Sequence, residues 1–177
     1  MAVKLTFPIE KEEIRKLKVG DIVSLSGIIY TARDAAHKYF FEKKPKEFVN
    51  KLADSAIYHC GPIVKKKGKK YSIVSAGPTT SIREEPYEWK IIRAYKVRAI
   101  IGKGGMGMKT QEACKKYGCI YLSAVGGAAA LLAKTIKNVM NVYKLEFGMP
   151  EAIWELDVKD FPAIVTMDSK GRSLHKE

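Results

Sequence analysis

The sequence predicts a single α/β domain with a mixed sheet. Strand-like and helix-like segments alternate along the whole chain, which is typical of a sheet covered by helices. The length of 177 residues suits one domain with a sizeable core. A hydrophobic fraction of 46% beside 29% charged residues is that of an ordinary folded protein, because disordered chains lack the apolar residues that offset chain entropy.

The first third of the chain is predicted to hold two strands and three short helices. A strand "KLTFP" precedes a short helix in "IEKEEIRKLKVG" that stops at Gly20. The alternating, β-branched segment "DIVSLSGIIYTA" predicts the second strand. It leads into a helix "RDAAHKYF" that starts at Arg33 and Asp34, and Pro45 begins the third helix, "PKEFVNKLAD".

The middle of the chain is predicted to be a strand-rich stretch followed by a helix. "AIYHCGPIVKKKGKKYSIVSAGP" indicates short strands around a basic turn at 65–70, which we interpret as a solvated hairpin tip. "TTSIREEPYEWKIIRAY" predicts a helix, and Ser81 and Glu84 have the spacing of a capping box at its start. Pro86 is expected to bend or divide this helix.

The last third begins with a strand "KVRAII", a glycine turn, a helix "MKTQEACKKYG" and a strand "CIYLSAV". Strong helix formers predict that "GGAAALLAKTIKNVMNVY" continues as a helix after its two glycines. "AIWELDVKDFPAIVTMDSKG" is predicted to form two strands around 160–162, and "RSLHKE" to be a tail.

The charge balance narrows the partners that this chain can attract. It has 32 Lys and Arg against 19 Asp and Glu, so it should draw polyanions, acidic small molecules or an acidic partner protein. No apolar run reaches the roughly 18 to 20 residues that cross a bilayer, and the start lacks the apolar stretch of a secretion signal. We therefore expect a cytoplasmic protein with no membrane partner.

The cysteines predict neither a disulfide framework nor a metal site. Cys60, Cys114 and Cys119 are an odd number at irregular spacing. "CKKYGC" lacks the two-residue ligand spacing and the nearby Cys or His of zinc and cluster motifs. We expect structural cysteines and no metal held by this chain alone.

The glycine turn "RAIIGKGGMGMKT" at 98–110 is predicted to bind an anion, which could be of three kinds. The first is RNA, since "IIGKGG" has the form of a KH-domain loop, although that loop joins two helices and a strand is predicted before Gly102. The second is a nucleotide phosphate, for which both the Walker and the dinucleotide spacing fit poorly. The third is a carboxylate, which backbone N–H groups at a helix start would bind with help from Lys103.

Two further turns strengthen the carboxylate interpretation. In "SAGPTTSIREE" the hydroxyls of Thr79 and Thr80 cluster before Arg83, and in "GIIYTARDAAHK" Arg33 lies where a strand gives way to a helix. Open α/β sheets bind ligands at such strand ends. Because Arg matches a carboxylate with two parallel hydrogen bonds and Lys acts as a point charge, two arginines with Lys103 suit a small dicarboxylate.

These residues resemble those of one enzyme family. "TARDAAHK", "GPTTSIRE", "IIGKGGMG", "YLSAVGGAAALLA" and "GMPEAIWELDVKDFPAIVTMDSKG" are similar to the β subunit, or C-terminal domain, of class I iron–sulfur fumarate hydratases and the related L-tartrate dehydratases. The resemblance runs in order from about residue 20 to residue 171, so one fumarase-type β-subunit domain is expected over 1–177.

The resemblance implies a fold, a partner and a reaction. The fold is a swivelling β/β/α domain that packs against an α subunit, in a heterotetramer of two α and two β chains. The α subunit carries the cysteines of an oxygen-sensitive 4Fe-4S cluster, one iron of which acts as a Lewis acid on the substrate hydroxyl. The reaction is the reversible hydration of fumarate to L-malate, with no nucleic acid involved. The start of the domain near residue 1 favours a partner on a separate chain.

The resemblance also assigns residues. Arg33, Arg83 and Lys103 match positions that hold the substrate carboxylates, and Thr79 matches the threonine beside the carbon that gains or loses a proton. Thr79 needs activation, for which an acidic or His partner is expected from the α subunit. The remaining candidates in the same turns and nearby are Thr80, Gly102 and Gly104, followed by His37 and Lys170.

One departure from the family pattern leaves the substrate open. Ile82 stands where a small residue is expected, and it could reshape the pocket beside Arg83. L-tartrate and a methylated relative such as mesaconate therefore remain alternatives to fumarate.

Overall fold

A mixed sheet organises this protein, as predicted. The computed structural model describes residues 1–125 and 127–175. In this part of the chain seven strands form the main sheet and two form a separate hairpin. The strands are β1 (Val3–Phe7), β2 (Ile22–Thr31), β3 (Ala56–Tyr58), the hairpin β4 (Ile63–Lys67) and β5 (Lys70–Ser75), β6 (Ala99–Gly102), β7 (Ile120–Ala124), β8 (Ile136–Tyr143) and β9 (Ile153–Met167).

Six α-helices and two 3-10 turns connect these strands within the described residues. The helices are α1 (Lys11–Lys16), α2 (Asp34–Lys43), α3 (Glu47–Leu52), α4 (Glu85–Tyr95), α5 (Met108–Tyr117) and α6 (Ala129–Thr135), and the 3-10 turns are Ser81–Glu84 and Leu145–Phe147. The predicted helix starts at Asp34 and after Pro45 are confirmed. Pro86 lies in the first turn of α4 and divides it from the preceding 3-10 turn.

The sheet closes on itself, which the strand-end argument from open sheets did not foresee. Its strand order is β1-β2-β3-β6-β7-β9-β8, with a further pairing between β2 and β9. The neighbours β2, β3, β6 and β7 are parallel, whereas β9 runs antiparallel to both β7 and β2. The long β9 therefore completes a barrel-like ring, and the carboxyl ends of β2, β3 and β6 lie side by side at one rim.

Two apolar layers follow from the two-residue period of the strands. Ile101 and Leu122 point into the ring and belong to the core that fills it. Ile100 and Tyr121, their chain neighbours, point outward into a second core with side chains of helices α2 to α5, such as Phe40. Both faces of the parallel strands are thus buried, as parallel strands require.

Two predicted helices and strands of the last third differ from the structure. The segment predicted as one long helix is α6 followed by β8, because "IKNVMNVY" pairs antiparallel with β9. The two strands predicted around 160–162 are one strand, β9, in which the positive φ of Asp160 accompanies a register shift against β2. Pairing partners distant in sequence decided both outcomes.

The C-terminal segment is ordered against the sheet instead of forming a tail. Leu174 donates its N–H to the Thr166 oxygen at 2.9 Å, and His175 Nε2 lies 2.8 Å from Thr166 Oγ1. Residues 176–177 of the predicted tail, like Gly126 of the predicted two-glycine helix start, lie outside the described residues. None of the helices described here has the length and apolar character needed to cross a membrane.

Candidate active site

Three chain segments meet at the carboxyl ends of β2, β3 and β6. Arg33 follows β2 at the start of α2, and Lys103 follows β6. The segment after the β4–β5 hairpin is held across these ends by main-chain hydrogen bonds. Thr79 donates its N–H to the His59 oxygen at 2.8 Å, and Ser81 donates its N–H to the Lys103 oxygen at 3.1 Å. Parallel strand order therefore brings distant parts of the sequence to one place.

A small cavity opens where these segments meet. Its volume is about 240 Å³, below the roughly 300–1,000 Å³ of typical ligand pockets, so it suits a small ligand. Five predicted site residues are brought together in its wall, and three residues that were not predicted complete it. The lining consists of Arg33, Thr79, Thr80, Arg83 and Lys103, together with Asp34, Pro78 and Glu84.

Arg33 is held by residues that the sequence did not single out. Its Nε lies 3.5 Å from Glu151 Oε1, while Glu151 Oε2 accepts the Ala35 N–H at 3.2 Å. Its guanidinium lies over Gly61, where an added Cβ would be 2.6 Å from Nη1. The missing side chain at Gly61 therefore makes room for the arginine.

Arg83 and two carboxyl groups form the other wall of the cavity. Arg83 Nη2 donates to Asp34 Oδ2 at 2.5 Å. Hydrogen bonding from Glu84 and from Arg83 lowers the pKa of Asp34. Burial raises the pKa of Glu84 to about 8, and the hydrogen bond with Asp34 adds to this effect. At neutral pH Asp34 is therefore ionised and Glu84 carries the shared proton.

The glycine loop presents Lys103 but not the free helix N-terminus that was predicted. Gly104 and Gly105 have φ values of +79° and +80°, which glycine adopts without penalty. Glu85 occupies the start of α5, accepting N–H bonds from Gly107 at 2.9 Å and Thr110 at 3.1 Å. A carboxylate of the chain itself thus satisfies these donors, and an incoming anion meets the Lys103 side chain instead.

The same loop excludes the KH interpretation. It joins β6 to α5, whereas the KH loop joins two helices. Neither Gly102 nor Gly104 is among the residues that line the cavity. Gly102 lies beneath it, because a Cβ at this position would be 1.9 Å from Ser81 Oγ.

Three other sequence candidates lie away from the cavity. His37 is fully buried under it, and Lys170 lies in the turn that follows β9. Ile82, whose effect on the pocket beside Arg83 was left open, is half exposed and is not part of the lining.

A buried group of polar side chains underlies the cavity, and sequence reasoning found little of it. Glu88 Oε2 lies 2.6 Å from His37 Nε2 and 2.7 Å from His59 Nε2. Although burial opposes charge on both partners, the Glu88 carboxylate raises the pKa of His37 to about 9, and His37 lowers the pKa of Glu88 to about 2. Burial lowers the pKa of His59. The pair His37–Glu88 is therefore ionic, and His59 is neutral.

Ser81 extends this group toward the glycine loop. Its Oγ lies 2.8 Å from His59 Nδ1 and accepts the Tyr121 hydroxyl proton at 2.9 Å, while the Gly105 N–H donates to Tyr121 at 3.3 Å. The predicted capping box is wrong for this reason: Ser81 Oγ faces the buried polar group, and the 3-10 turn has no side-chain cap. We call Tyr121, Ser81, His59, Glu88 and His37 the buried polar chain.

The His37–His59–Glu88 cluster fits hydrogen bonding better than metal binding. The candidate ligand atoms lie within 4.8 Å of one another. However, an ion placed about 2.0–2.1 Å from a ring nitrogen and from Glu88 Oε2 would have a nitrogen–ion–oxygen angle of about 80°. The corresponding angle in a tetrahedral site is about 109°. The spacing of 2.6–2.7 Å is that of a charge-assisted hydrogen bond.

The cysteines do not fit an iron–sulfur cluster. All three are buried, and Cys60 belongs to a different apolar core from Cys114 and Cys119. Burial raises the pKa of Cys60 to about 12 and also raises that of Cys119. Because a cluster binds thiolates, these side chains behave as core residues.

The fold and the cavity define an α/β domain with three cationic side chains at one rim. Comparison with known proteins identifies the family within this class. The profile of the family described as Fumarase C-terminus matches residues 1–177, and the chain belongs to this family.

Curated relatives agree with the family. The chain is 52% identical over 176 residues to a putative class I fumarate hydratase of Geobacillus stearothermophilus, covering 99% of this chain and 34% of that protein. It is 50% identical over 171 residues to a putative L(+)-tartrate dehydratase subunit beta of Methanocaldococcus jannaschii, covering 94% and 88%. It is 41% identical over 175 residues to the L(+)-tartrate dehydratase subunit beta of Escherichia coli K12, covering 98% and 86%. The chain therefore spans about a third of the first relative and most of the other two.

Proposed function

We propose that this chain is the β subunit of a class I fumarate hydratase, a hydro-lyase that adds water reversibly to fumarate to give L-malate. The observation that carries the proposal is the convergence of Arg33, Arg83 and Lys103, from three separate segments, on one cavity of about 240 Å³. The names of the relatives, fumarate hydratase and tartrate dehydratase, support the reaction class.

The charge of the cavity supports an anionic substrate. Three cationic side chains line it, and the ionised Asp34 offsets one of them, while Glu84 is protonated at neutral pH. The lining therefore carries a net charge of about +2, and Glu151, which pairs with Arg33 from outside the lining, reduces this positive charge without reversing it. Such a charge favours an anion.

Each lining residue has a role that its chemistry allows. Arg33 and Arg83 offer planar forks for the two carboxylates, and Lys103 adds a point charge. Their present partners, Glu151 and Asp34, keep the arginines extended toward the cavity until substrate binds. Thr79 lies beside the reacting carbon, with Thr80 at the same wall, and an acidic or His group of the partner activates the Thr79 hydroxyl.

The chain acts with a second protein part that holds the cofactor. The class I name of one relative implies an iron–sulfur enzyme, and "subunit beta" in the names of others implies an α subunit. Because the cysteines here do not fit a cluster, we assign a 4Fe-4S cluster to that α subunit or α domain. The assembly is proposed to contain two α and two β chains.

Anaerobic reconstitution tests the proposal. The purified chain is mixed with the cluster-loaded α partner, and fumarate loss is followed by its ultraviolet absorbance. Activity is expected only in the mixture, and the isolated chain is expected to bind no iron. Turnover by the isolated chain, or an inactive mixture that has assembled with an intact cluster, would contradict the proposal.

L-tartrate dehydration is the second candidate. It is favoured by the two relatives of 50% and 41% identity that are named tartrate dehydratase subunits. The same reconstituted pair should be assayed with L-tartrate and mesaconate beside fumarate. The ratio of kcat/KM values decides between them, and we expect fumarate to be preferred.

A further inference from the structure

We propose that the buried polar chain is a positioning device that locks the three cation-bearing segments of the cavity together through one continuous series of hydrogen bonds, in which Glu88 accepts from both histidines. Its role in catalysis rests on the proposed function. The order of its hydrogen bonds is a property of this protein alone and does not depend on the substrate.

The order begins at His37, where both ring nitrogens must carry protons. Nδ1 lies 2.7 Å from the main-chain oxygen of Arg33, and a carbonyl can only accept. Nε2 lies 2.6 Å from Glu88 Oε2, an ionised carboxylate that also only accepts. His37 is therefore an imidazolium, fully enclosed and paired with a single carboxylate.

The second imidazole completes the order. Glu88 carries one negative charge, which His37 balances, so His59 is neutral and donates from Nε2 to Glu88 Oε2 at 2.7 Å. Its Nδ1 must then accept the Ser81 hydroxyl proton at 2.8 Å. Ser81 in turn accepts from Tyr121, and Tyr121 accepts the Gly105 N–H. Every donor in the series thus has one acceptor, from the glycine loop to the start of α2.

The ends of the series explain what it positions. It reaches the Arg33 main chain directly, it contains Ser81 two residues before Arg83, and it holds Gly105 two residues after Lys103. Among the three cations, the Arg83 side chain is 62% accessible and Lys103 is exposed, whereas the Arg33 side chain is 28% accessible. Exposed side chains do not fix their own backbones. The main-chain hydrogen bonds across the strand ends and the buried series beneath them do so together.

Other charged groups near the series do not change this assignment. Glu84 Oε2 is the further carboxylate oxygen that faces His37, 3.3 Å from Nδ1. Its carboxyl is protonated at neutral pH, so Glu88 remains the counter-ion of the imidazolium. Within the described residues Glu84 Oε2 has no hydrogen-bond partner, which is consistent with the Nδ1 proton being directed at Arg33 instead.

Two matched pairs of variants test the role. Tyr121→Phe removes a buried hydroxyl that belongs to the series, whereas Tyr95→Phe removes a buried hydroxyl that donates to the Phe40 oxygen at 3.1 Å. Ser81→Ala and Ser55→Ala form the second pair, since the Ser55 hydroxyl donates to the Ile28 oxygen at 2.9 Å. Each pair loses one buried hydroxyl of the same kind, inside or outside the series.

The first readouts use the chain alone and need no substrate. Nitrogen-15 NMR at pH 7 should show two protonated ring nitrogens on His37 and one, Nε2, on His59. Amide hydrogen exchange at Gly105, whose N–H donates to Tyr121, should accelerate about tenfold in Tyr121→Phe and in Ser81→Ala, and less than twofold in the controls. A neutral His37, or equal exchange within both pairs, would overturn the proposal.

The last readout uses the reconstituted enzyme and separates positioning from general stability. For fumarate, Tyr121→Phe and Ser81→Ala should lower kcat/KM by about fivefold to tenfold, mainly through KM, while thermal stability changes as in the matched controls. Kinetics equal to those of the controls would refute a role in positioning. If the unmodified enzyme turns over no dicarboxylate, the proposed function fails, and the NMR and exchange results still decide whether the series orders the loops.

Discussion

Replacing Gly102 with alanine is expected to damage the buried polar chain, although this glycine does not line the cavity. An added Cβ lies 1.9 Å from Ser81 Oγ and 3.2 Å from both His59 Nδ1 and the Tyr121 hydroxyl. The backbone of Gly102 is outside the left-handed region, so an alanine is not strained there for conformational reasons. The whole effect should therefore come from the collision.

The structure sets the size of this effect. Overpacking a closed interior costs about 1–3 kcal/mol. Moving Ser81 Oγ aside leaves partners unpaired in a buried place, which costs about 1–3 kcal/mol more. A loss of about 2–6 kcal/mol is a large share of the 5–15 kcal/mol that stabilises a typical domain. It should lower the Tm by at least about 5 °C in a chain of this length.

Urea denaturation of the isolated chain, followed by circular dichroism, measures the effect. Gly104→Ala is the matched control, because the heavy atom nearest to a Cβ added at position 104 is Thr80 Cγ2, at 4.0 Å. Its cost is only that of the left-handed backbone at φ +79°, about 1–2 kcal/mol.

A double variant identifies the collision partner. Gly102→Ala combined with Ser81→Ala removes the oxygen that an added Cβ would strike. The pair should be less destabilised than the sum of the two single variants by at least about 1 kcal/mol. If the two effects simply add, or if Gly102→Ala costs no more than Gly104→Ala, the argument from close approach is refuted.

Three further predictions concern charge. Arg83→Ala should lower kcat/KM of the reconstituted enzyme at least about tenfold. The control is Arg93→Ala, which changes an exposed arginine on α4 and should leave the kinetics near normal. Near-normal kinetics in Arg83→Ala would remove Arg83 from the site. His37 has a pKa raised from 6.5 to about 9, so its contribution to the free energy of unfolding is complete below pH 6.5 and is lost as the pH rises through about 9. Urea midpoints should therefore fall across that interval in the unmodified chain more than in His37→Gln, and parallel curves would argue against the imidazolium. Glu84 ionises near pH 8, which lowers the cavity charge, so the Kd for fumarate measured by calorimetry should rise above pH 8 in the unmodified assembly but not in Glu84→Gln.

Much of the site could be predicted because its signals are local. Arg33, Thr79, Arg83 and Lys103 each lie in a turn whose glycine, proline or hydroxyl neighbours mark the end of one element and the start of the next. Their shared cavity follows from parallel strands, whose carboxyl ends meet at one rim. The site residues were assigned from motifs, and the fold places these motifs around one cavity.

The errors have a common cause, which is that the deciding partner lies far along the chain. "IKNVMNVY" has residues that suit either a helix or a strand, and only pairing with β9 makes it β8. Ser81 has the spacing of a cap, but His59, 22 residues away, takes its hydroxyl. The Glu85 side chain accepts the Thr110 N–H at the start of α5, although Glu85 lies 25 residues earlier in the sequence.

By itself the sequence determined the α/β class, the turns that carry the cations and the family, because turn chemistry, periodicity and motif order are written in neighbouring residues. Only the tertiary structure decided that the sheet closes, that Asp34 and Glu84 set the cavity charge, and that His59 and Glu88 tie the loops together from below. These features depend on burial and on distances between residues remote in sequence. Hydrogen bonds and pKa shifts of this kind arise only when the fold removes water from groups that the chain itself keeps apart.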